Sequence, residues 1–253
     1  MSIKVTEPVV VITPTIGLDS LTKAIESVKA QTYRDIRHLI VVDGPEYFEK
    51  VMSKIAIKFN DDNEHNHIMI TALPNNTGSN GFYGHRIYAA FPHLVNEPYI
   101  AFLDEDNWYE PNHIETLVNK IEKDDLRWAH SLRNVYLHET DGGGFLDKDC
   151  CEAIGRWPIA WFDSPQHLVD TSSYMFRAEF IKIHASLWHW GWGGDRRFFT
   201  IIKDKGKYDT TGEHTLNYRL PPIQKAYGGD KDIFKKGNEI ILKQYGAYPW
   251  TKV

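Results

Sequence analysis

At 253 residues the chain can bury a sizeable core without staples, as one large α/β domain or a domain with a small appendage. Its hydrophobic fraction of 42%, charged fraction of 25%, net charge of −5 and pI near 6.2 are those of an ordinary soluble protein. They exclude a dominant nucleic-acid-binding surface but leave room for a local basic pocket for phosphates. The two cysteines are adjacent, Cys150-Cys151, which argues against a disulfide framework and fits a reducing compartment. No apolar run approaches the ~20 residues needed to span a bilayer, and the N-terminus lacks the pattern of a signal peptide. The expectation is a soluble, cytoplasmic protein without a transmembrane segment.

In chain order, Val9-Val-Val-Ile-Thr13 is a β-branched run that reads as a buried strand, followed by a Thr13–Gly17 loop. Asp19 or Ser20 can cap a helix with Leu21, Ala24, Ile25 and Val28 on its apolar face. Arg37–Val42 is a second buried strand ending in Asp43-Gly44, and Lys50–Phe59 a helix. Ile68–Leu73 is a third strand, running into the turn-rich loop Pro74–Gly81. A helix from about Tyr83 to Leu94 follows, with Arg86 near its start. Tyr99–Leu103 is a fourth strand, which stops at Asp104-Glu105-Asp106. Pro111 then opens a helix with the stripe Ile114, Leu117, Val118 and Ile121.

Four β–α alternations predict a mostly parallel sheet. The loops after its strands (Thr13–Thr15, Asp43, Asn75–Gly81, Asp104–Asp106) should converge on the edge where open α/β sheets bind ligands. An extended backbone puts Asp104 and Asp106 on one side and Glu105 on the other. Two carboxylates so close repel unless a cation or proton sits between them. A hard divalent ion that keeps positions free for phosphate suits them; a solvated acidic turn is the alternative.

The second half reads less regularly. Trp128–Ser131 and Asn134–His138 look like short strands, Asp141–Gly144 like a loop, and Trp157–Phe162 like an extended piece. Val169–Arg177 reads as a strand, Phe180–Leu187 and Phe198–Lys203 as helices, and Tyr245–Val253 as a tail packing on the body or touching a partner. Trp188, Trp190 and Trp192 alternate just before Gly193-Gly194-Asp195-Arg196-Arg197.

Five segments, in this order, carry a resemblance. They are Val9–Thr15, Leu39–Gly44, Asn76-Thr-Gly78, Ile100–Asp106 and Gly193–Phe198. Over about residues 8–220 the chain resembles an inverting, family 2-like glycosyltransferase of the GT-A fold, an α/β Rossmann-like sheet flanked by helices. It departs from that family in having one acid, Asp43, where two are usual, and Gly194-Asp195 where Glu-Asp is usual. The resemblance implies a single domain, with residues 1–125 as a nucleotide-sugar-binding half, 126–225 as an acceptor-binding and catalytic half, and 226–253 as a tail.

It also implies roles. Thr13, Pro14 and Thr15 would wrap the nucleobase and ribose, and Asp43 would accept from a base N–H, unless it caps the next helix. Asn76, Gly78 and Gly81 would pass beneath the nucleotide. Arg86 would pair with a phosphate or with the Asp104–Asp106 carboxylates, with a surface ion pair as the plainer role. Asp104 would support the ribose or metal, Asp106 would bind Mn²⁺ or Mg²⁺, and Glu105 would be a lesser donor contact. Asp195 would be the general base, and an N-cap as well or instead. Arg196 and Tyr218 would reach the diphosphate, with Arg219 a further candidate. His214 would complete the metal site or be one of many polar histidines. Asp170, Trp190 and Trp192 would meet the acceptor, a glycan or glycoconjugate, with core packing the alternative for the tryptophans. Peripheral membrane contact or self-association stays open. The rival readings are a non-catalytic sugar-binding module and a sugar nucleotidyltransferase. The latter lacks its glycine-rich basic loop at Thr13–Gly17.

Overall fold

The computed structural model describes residues 7–58, 66–149, 157, 159–161, 164–166 and 168–252. The cysteines and part of the expected Trp157–Phe162 piece lie outside them. The chain runs β1 (Val9–Thr15), α1 (Leu21–Lys29), β2 (Ile36–Val42), α2 (Phe48–Lys58), β3 (Asn66–Ala72), α3 (His85–Ala90), β4 (Tyr99–Phe102), β5 (Trp108–Tyr109) and α4 (His113–Asp124). It continues with β6 (Trp128–Tyr136), β7 (Phe145–Asp149), β8 (Ile159–Trp161), β9 (Ser164–Gln166), β10 (Tyr174–Arg177), α5 (Ala178–His184), α6 (Gly194–Ile202), β11 (Tyr208–Arg219), α7 (Ile223–Tyr227) and α8 (Ile233–Tyr245).

The main sheet has the order β3-β2-β1-β4-β10-β6-β11-β5, with β7 beside β6; β8 and β9 form a separate ribbon. β1 is parallel to β2 and β4, β2 to β3, and β6 to β11. β10 runs antiparallel to β4 and β6, and so sets β6 and β11 in the direction of the first four strands. The ends of all these parallel strands therefore point to one edge.

The period-2 alternation of β1 explains how the sheet is covered. Val9 and Val11 pack with Ala24 and Val28 of α1 and with Ile114, Leu117, Val118 and Ile121 of α4. Val10 and Ile12 pack on the other side with Ile87 and Tyr88 of α3 and the aromatic block Phe102, Trp128, Tyr174, Phe176, Trp188 and Phe198. Trp188 is thus a core residue. A third cluster joins Leu132 and Val135 of β6 to Phe234 and Ile241 of α8 and to Trp250.

Several local expectations are corrected. The two strands expected at Trp128–Ser131 and Asn134–His138 are one, β6, because Arg133 in its middle is buried in an ion pair with Asp170 (2.8 Å). The strand expected from Val169 begins only at Tyr174, because the Asp170 carboxylate caps a tight turn over Thr171–Ser173 by accepting from Ser172 N. The helix expected from Phe198 starts at Gly194. The helix expected from Tyr83 starts at His85. Ser20 sits at the N-cap of α1 without a side-chain cap bond, and Asp19 instead meets Lys54 at 2.5 Å. The C-terminal stretch expected as a tail includes the 13-residue helix α8.

Two histidines are sealed in this fold. His38 Nε2 meets Thr13 Oγ1 at 2.8 Å, His113 Nδ1 meets Thr215 Oγ1 at 2.8 Å, and burial pushes both imidazoles down to about 3. A histidine whose folded value is depressed contributes stability above its unfolded value near 6.5, and loses it as the pH falls towards the folded value. Replacing His38 with Gln should therefore flatten the acid side of the stability curve. From pH 7 to pH 5 the native protein should lose about 2 kcal/mol more than the variant, as read by urea denaturation at each pH.

Candidate active site

The strand ends enclose a cleft of about 990 Å³, near the upper end of ordinary ligand pockets, roughly 300–1,000 Å³. Its lining includes Pro14 and Thr15 at the end of β1, and Asp43, Asn76, Gly78, Asp104, Glu105 and Asp106 from the loops after β2 to β4. Asp170, Trp192, Asp195, Arg196, Tyr218 and Arg219 line it from the second half. Most of the residues singled out from the sequence thus share one space.

Several do not. Thr13 is buried inside β1 on His38. Gly81 and Trp190 do not line the cleft, and Trp190 stands half-exposed beneath the Arg197 guanidinium (4.4 Å). Arg86 reaches neither the acids nor the cleft; its guanidinium lies 3.5 Å over the Phe82 ring and donates to Thr77 O. His214 is also outside the cleft, with its ring edge-on to Trp250 (5.9 Å). Burial pushes it down to about 4. The register of β11 against β6 slips on both sides of His214, so simple strand alternation does not fix where its ring points.

The acidic turn after β4 separates its three carboxylates by task. Glu105 is buried and accepts from Thr15 Oγ1 (2.5 Å), Ile16 N (2.9 Å) and Leu18 N (2.7 Å). It anchors the first loop. Asp104 accepts from Tyr88 OH (2.8 Å) and Ser172 Oγ (3.2 Å). Among the described residues no side chain donates a hydrogen bond to Asp106. Burial, then the charges of Asp106 and Asp170, hold the Asp104 carboxyl above its usual range. Burial likewise raises Asp106, against the pull of Arg219.

A pair of hard oxygen donors whose ionised forms are disfavoured suits a divalent cation, which would remove that penalty. Among the described residues no group of three or more His, Cys, Asp or Glu gathers around one point. Mg²⁺ and Mn²⁺ accept such a sparse set when water and substrate phosphate complete it. Asp106, with Asp104 behind it, would hold the ion.

Asp43 organises the opposite wall. Its Oδ1 accepts from Thr77 N (2.7 Å) and Thr77 Oγ1 (2.8 Å), and its Oδ2 from Gly78 N (2.7 Å). It caps no helix, and both oxygens already serve the loop. Asn76 accepts from Ser79 N at 2.9 Å. Asp170 is similarly engaged, by Arg133 and Ser172 N. Asp195 lies in the first turn of α6, where its Oδ1 accepts from Arg196 N (2.7 Å); the N-cap position is Gly193. A Cβ on Gly194 would stand 2.7 Å from the His85 ring, so glycine there lets α6 approach α3.

Tyr83, His85, Asn107 and Lys225 also line the cleft, and no sequence pattern marks them. Arg133, a charge in an apolar strand, was the one detectable signal. A Cβ on Gly78 would strike the Tyr83 carbonyl and stand 2.8 Å from Asp43 Oδ2. Gly78→Ala should therefore cost about 1–3 kcal/mol through overpacking against rigid backbone. Chemical denaturation measures this directly, and an unchanged midpoint would show the loop to be slack.

Residues 10–172 match the family described as Glycosyl transferase family 2. Asp195 lies beyond that span. A search of curated proteins finds no match. Among solved structures, Staphylococcus aureus TarS 1–349 in complex with UDP-GlcNAc superposes with a TM-score of 0.58 at 12% identity, over 93% of this chain and 66% of that one. A second is a mannosyltransferase from Pyrobaculum calidifontis in complex with GDP-Man and Mn²⁺. It gives a TM-score of 0.58 at 11% identity, over 86% of this chain and 58% of that one. The chain spans 40% of a longer TarS structure. At such identities the likeness concerns the fold, which is the GT-A arrangement. The family match covers most of the chain, which thus belongs to glycosyl transferase family 2.

Proposed function

We propose that the protein moves a sugar from a nucleoside diphosphate donor, of the UDP type, to an acceptor hydroxyl, with inversion and with a divalent ion. The observation that carries this reading is the shared cleft. It holds Asp104 and Asp106 at the end of β4, the Asp43-anchored loop after β3, and Asp195 at the start of α6. Two structures it resembles support it, one a complex with UDP-GlcNAc and the other with GDP-Man and Mn²⁺.

Each residue would contribute separately. Pro14, Thr15, Asp43, Asn76 and Gly78 would bound the nucleoside end. Arg196 and Arg219 would face the diphosphate, where their cations offset its charge, with the Tyr218 hydroxyl beside them. The ion, held at Asp106, would act as a Lewis acid on the leaving diphosphate. Asp195 would take the proton of the acceptor hydroxyl as that oxygen attacks the anomeric carbon from the face opposite the leaving group. Trp192, exposed at the mouth, would lie on the acceptor side. The acceptor would be a glycan or glycoconjugate. Among the described residues no helix is long and apolar enough to cross a membrane.

Calorimetric titration of UDP with and without Mn²⁺ tests the ion's place. Asp106→Asn should remove the Mn²⁺-dependent gain in affinity, while His214→Ala should keep it; a reversed pattern would return the metal site to His214. For catalysis, Asp195→Asn should lower transfer by 10² or more, the usual scale for a lost general base, with UDP affinity intact. Full transfer by a folded Asp195→Asn protein would eliminate Asp195 as the base.

A further inference from the structure

Two loops meet at the mouth of the cleft on the side of Asp195. One runs from Gly78 to His85, the other from Trp188 to Gly194. Three contacts join them. His85 Nδ1 meets Trp190 O at 2.8 Å. The Phe82 ring stacks on His189 (5.7 Å between centroids, 21° between planes), with the Arg86 guanidinium also 3.5 Å from the Phe82 centroid. A Cβ on Gly191 would lie 3.3 Å from Gly81 O, so the two backbones nearly touch. The paired loops form one preformed wall.

Each loop presents a large aromatic ring to the cleft rather than to the core. Trp192 is 78% exposed and Tyr83 58% exposed, and both line the cleft. Exposing two such rings forgoes the burial that aromatic side chains ordinarily provide. Tyr83 carries a second cost. Its φ is +52°, a left-handed conformation that a bulky residue rarely adopts, and such strain gathers where structure serves a ligand. Its N–H is fixed on Gly78 O (3.0 Å), and its ring lies edge-on to His85 (6.1 Å), which itself packs against Gly194 beside Asp195. The ring is therefore held toward the end of the cleft that contains the carboxylate, while its backbone belongs to the Asp43 end.

We propose that Tyr83 and Trp192 together form the acceptor platform, and that the group it takes is a pyranose ring. This inference rests on the transferase reading above. A pyranose has a face of C–H groups, weakly positive and apolar, that suits the electron-rich face of an aromatic ring. Its hydroxyl edge suits a carboxylate such as Asp195. An apolar partner would satisfy the rings but offer no hydroxyl to the neighbouring carboxylate. Because the wall is preformed, the platform recognises the sugar without first being assembled by the donor.

The test uses saturation-transfer difference NMR with the methyl pyranosides of glucose, galactose, mannose and N-acetylglucosamine, with and without UDP and Mn²⁺. The informative variant is Tyr83→Gly. Glycine accepts φ +52° without strain, so the ring is lost while thermal stability is kept or raised. At least one pyranoside should bind the native protein. Tyr83→Gly and Trp192→Ala should each weaken it tenfold or more, Tyr83→Phe should retain it, and UDP affinity should stay within twofold in all three. The inference is overturned if Tyr83→Gly leaves pyranoside binding unchanged. It is also overturned if the variant loses UDP instead, which would assign the ring to the nucleobase, or if UDP binds and no pyranoside does. If neither UDP nor GDP binds the native protein with Mn²⁺, the transferase reading itself fails.

Discussion

The site depends on a buried carboxylate that ties two of its loops together. Glu105 sits at the end of β4 and gathers the hydroxyl of Thr15 and the backbone N–H groups of Ile16 and Leu18. A buried charge is tolerable only when such donors replace its lost water, and once replaced the geometry is stiff. Burial still raises the Glu105 carboxyl, while these hydrogen bonds pull it back down. The result is a lock between the first and fourth loops. With Glu105 tied to the segment after β1, its neighbours Asp104 and Asp106 line the cleft beside it.

The same device recurs on the other wall. Asp43 holds Thr77 and Gly78, so the loop after β3 closes over the strand end instead of swinging free. Asp170, paired with buried Arg133, fixes the turn that brings Ser172 Oγ to Asp104. Three acids thus serve as braces and two, Asp106 and Asp195, stand in positions suited to chemistry. An acid count from composition cannot make that division, because it depends on which oxygen faces which donor.

The framework was legible because its signals are short-ranged. Apolar runs at Val9, Leu39, Ile68 and Ile100, each ended by a polar loop, announced buried parallel strands, and those strands carried Pro14, Thr15, Asp43, Asn76, Gly78, Asp104 and Asp106 to one edge. The alternation of Asp104, Glu105 and Asp106 also indicated that Glu105 would turn the other way. What escaped were features set by distant partners. β6 runs through Arg133 because of Asp170, and His214 turns toward Trp250 across an irregular register. Arg86 looked like a phosphate ligand and is taken up by Phe82 and Thr77. Tyr83 gave no signal, since a positive φ leaves no mark on a sequence when the residue is not glycine.

The central claim is that the cleft binds and activates a nucleotide sugar at Asp106. Slow hydrolysis of the donor tests it without knowledge of the acceptor. UDP- and GDP-linked hexoses and N-acetylhexosamines, incubated with the protein and Mn²⁺, would be followed by chromatography of the released nucleoside diphosphate. The account predicts release from at least one donor, abolished by chelation and by Asp106→Asn. Release that survives both treatments, or none from any donor by a protein that also fails to bind UDP or GDP, would contradict it.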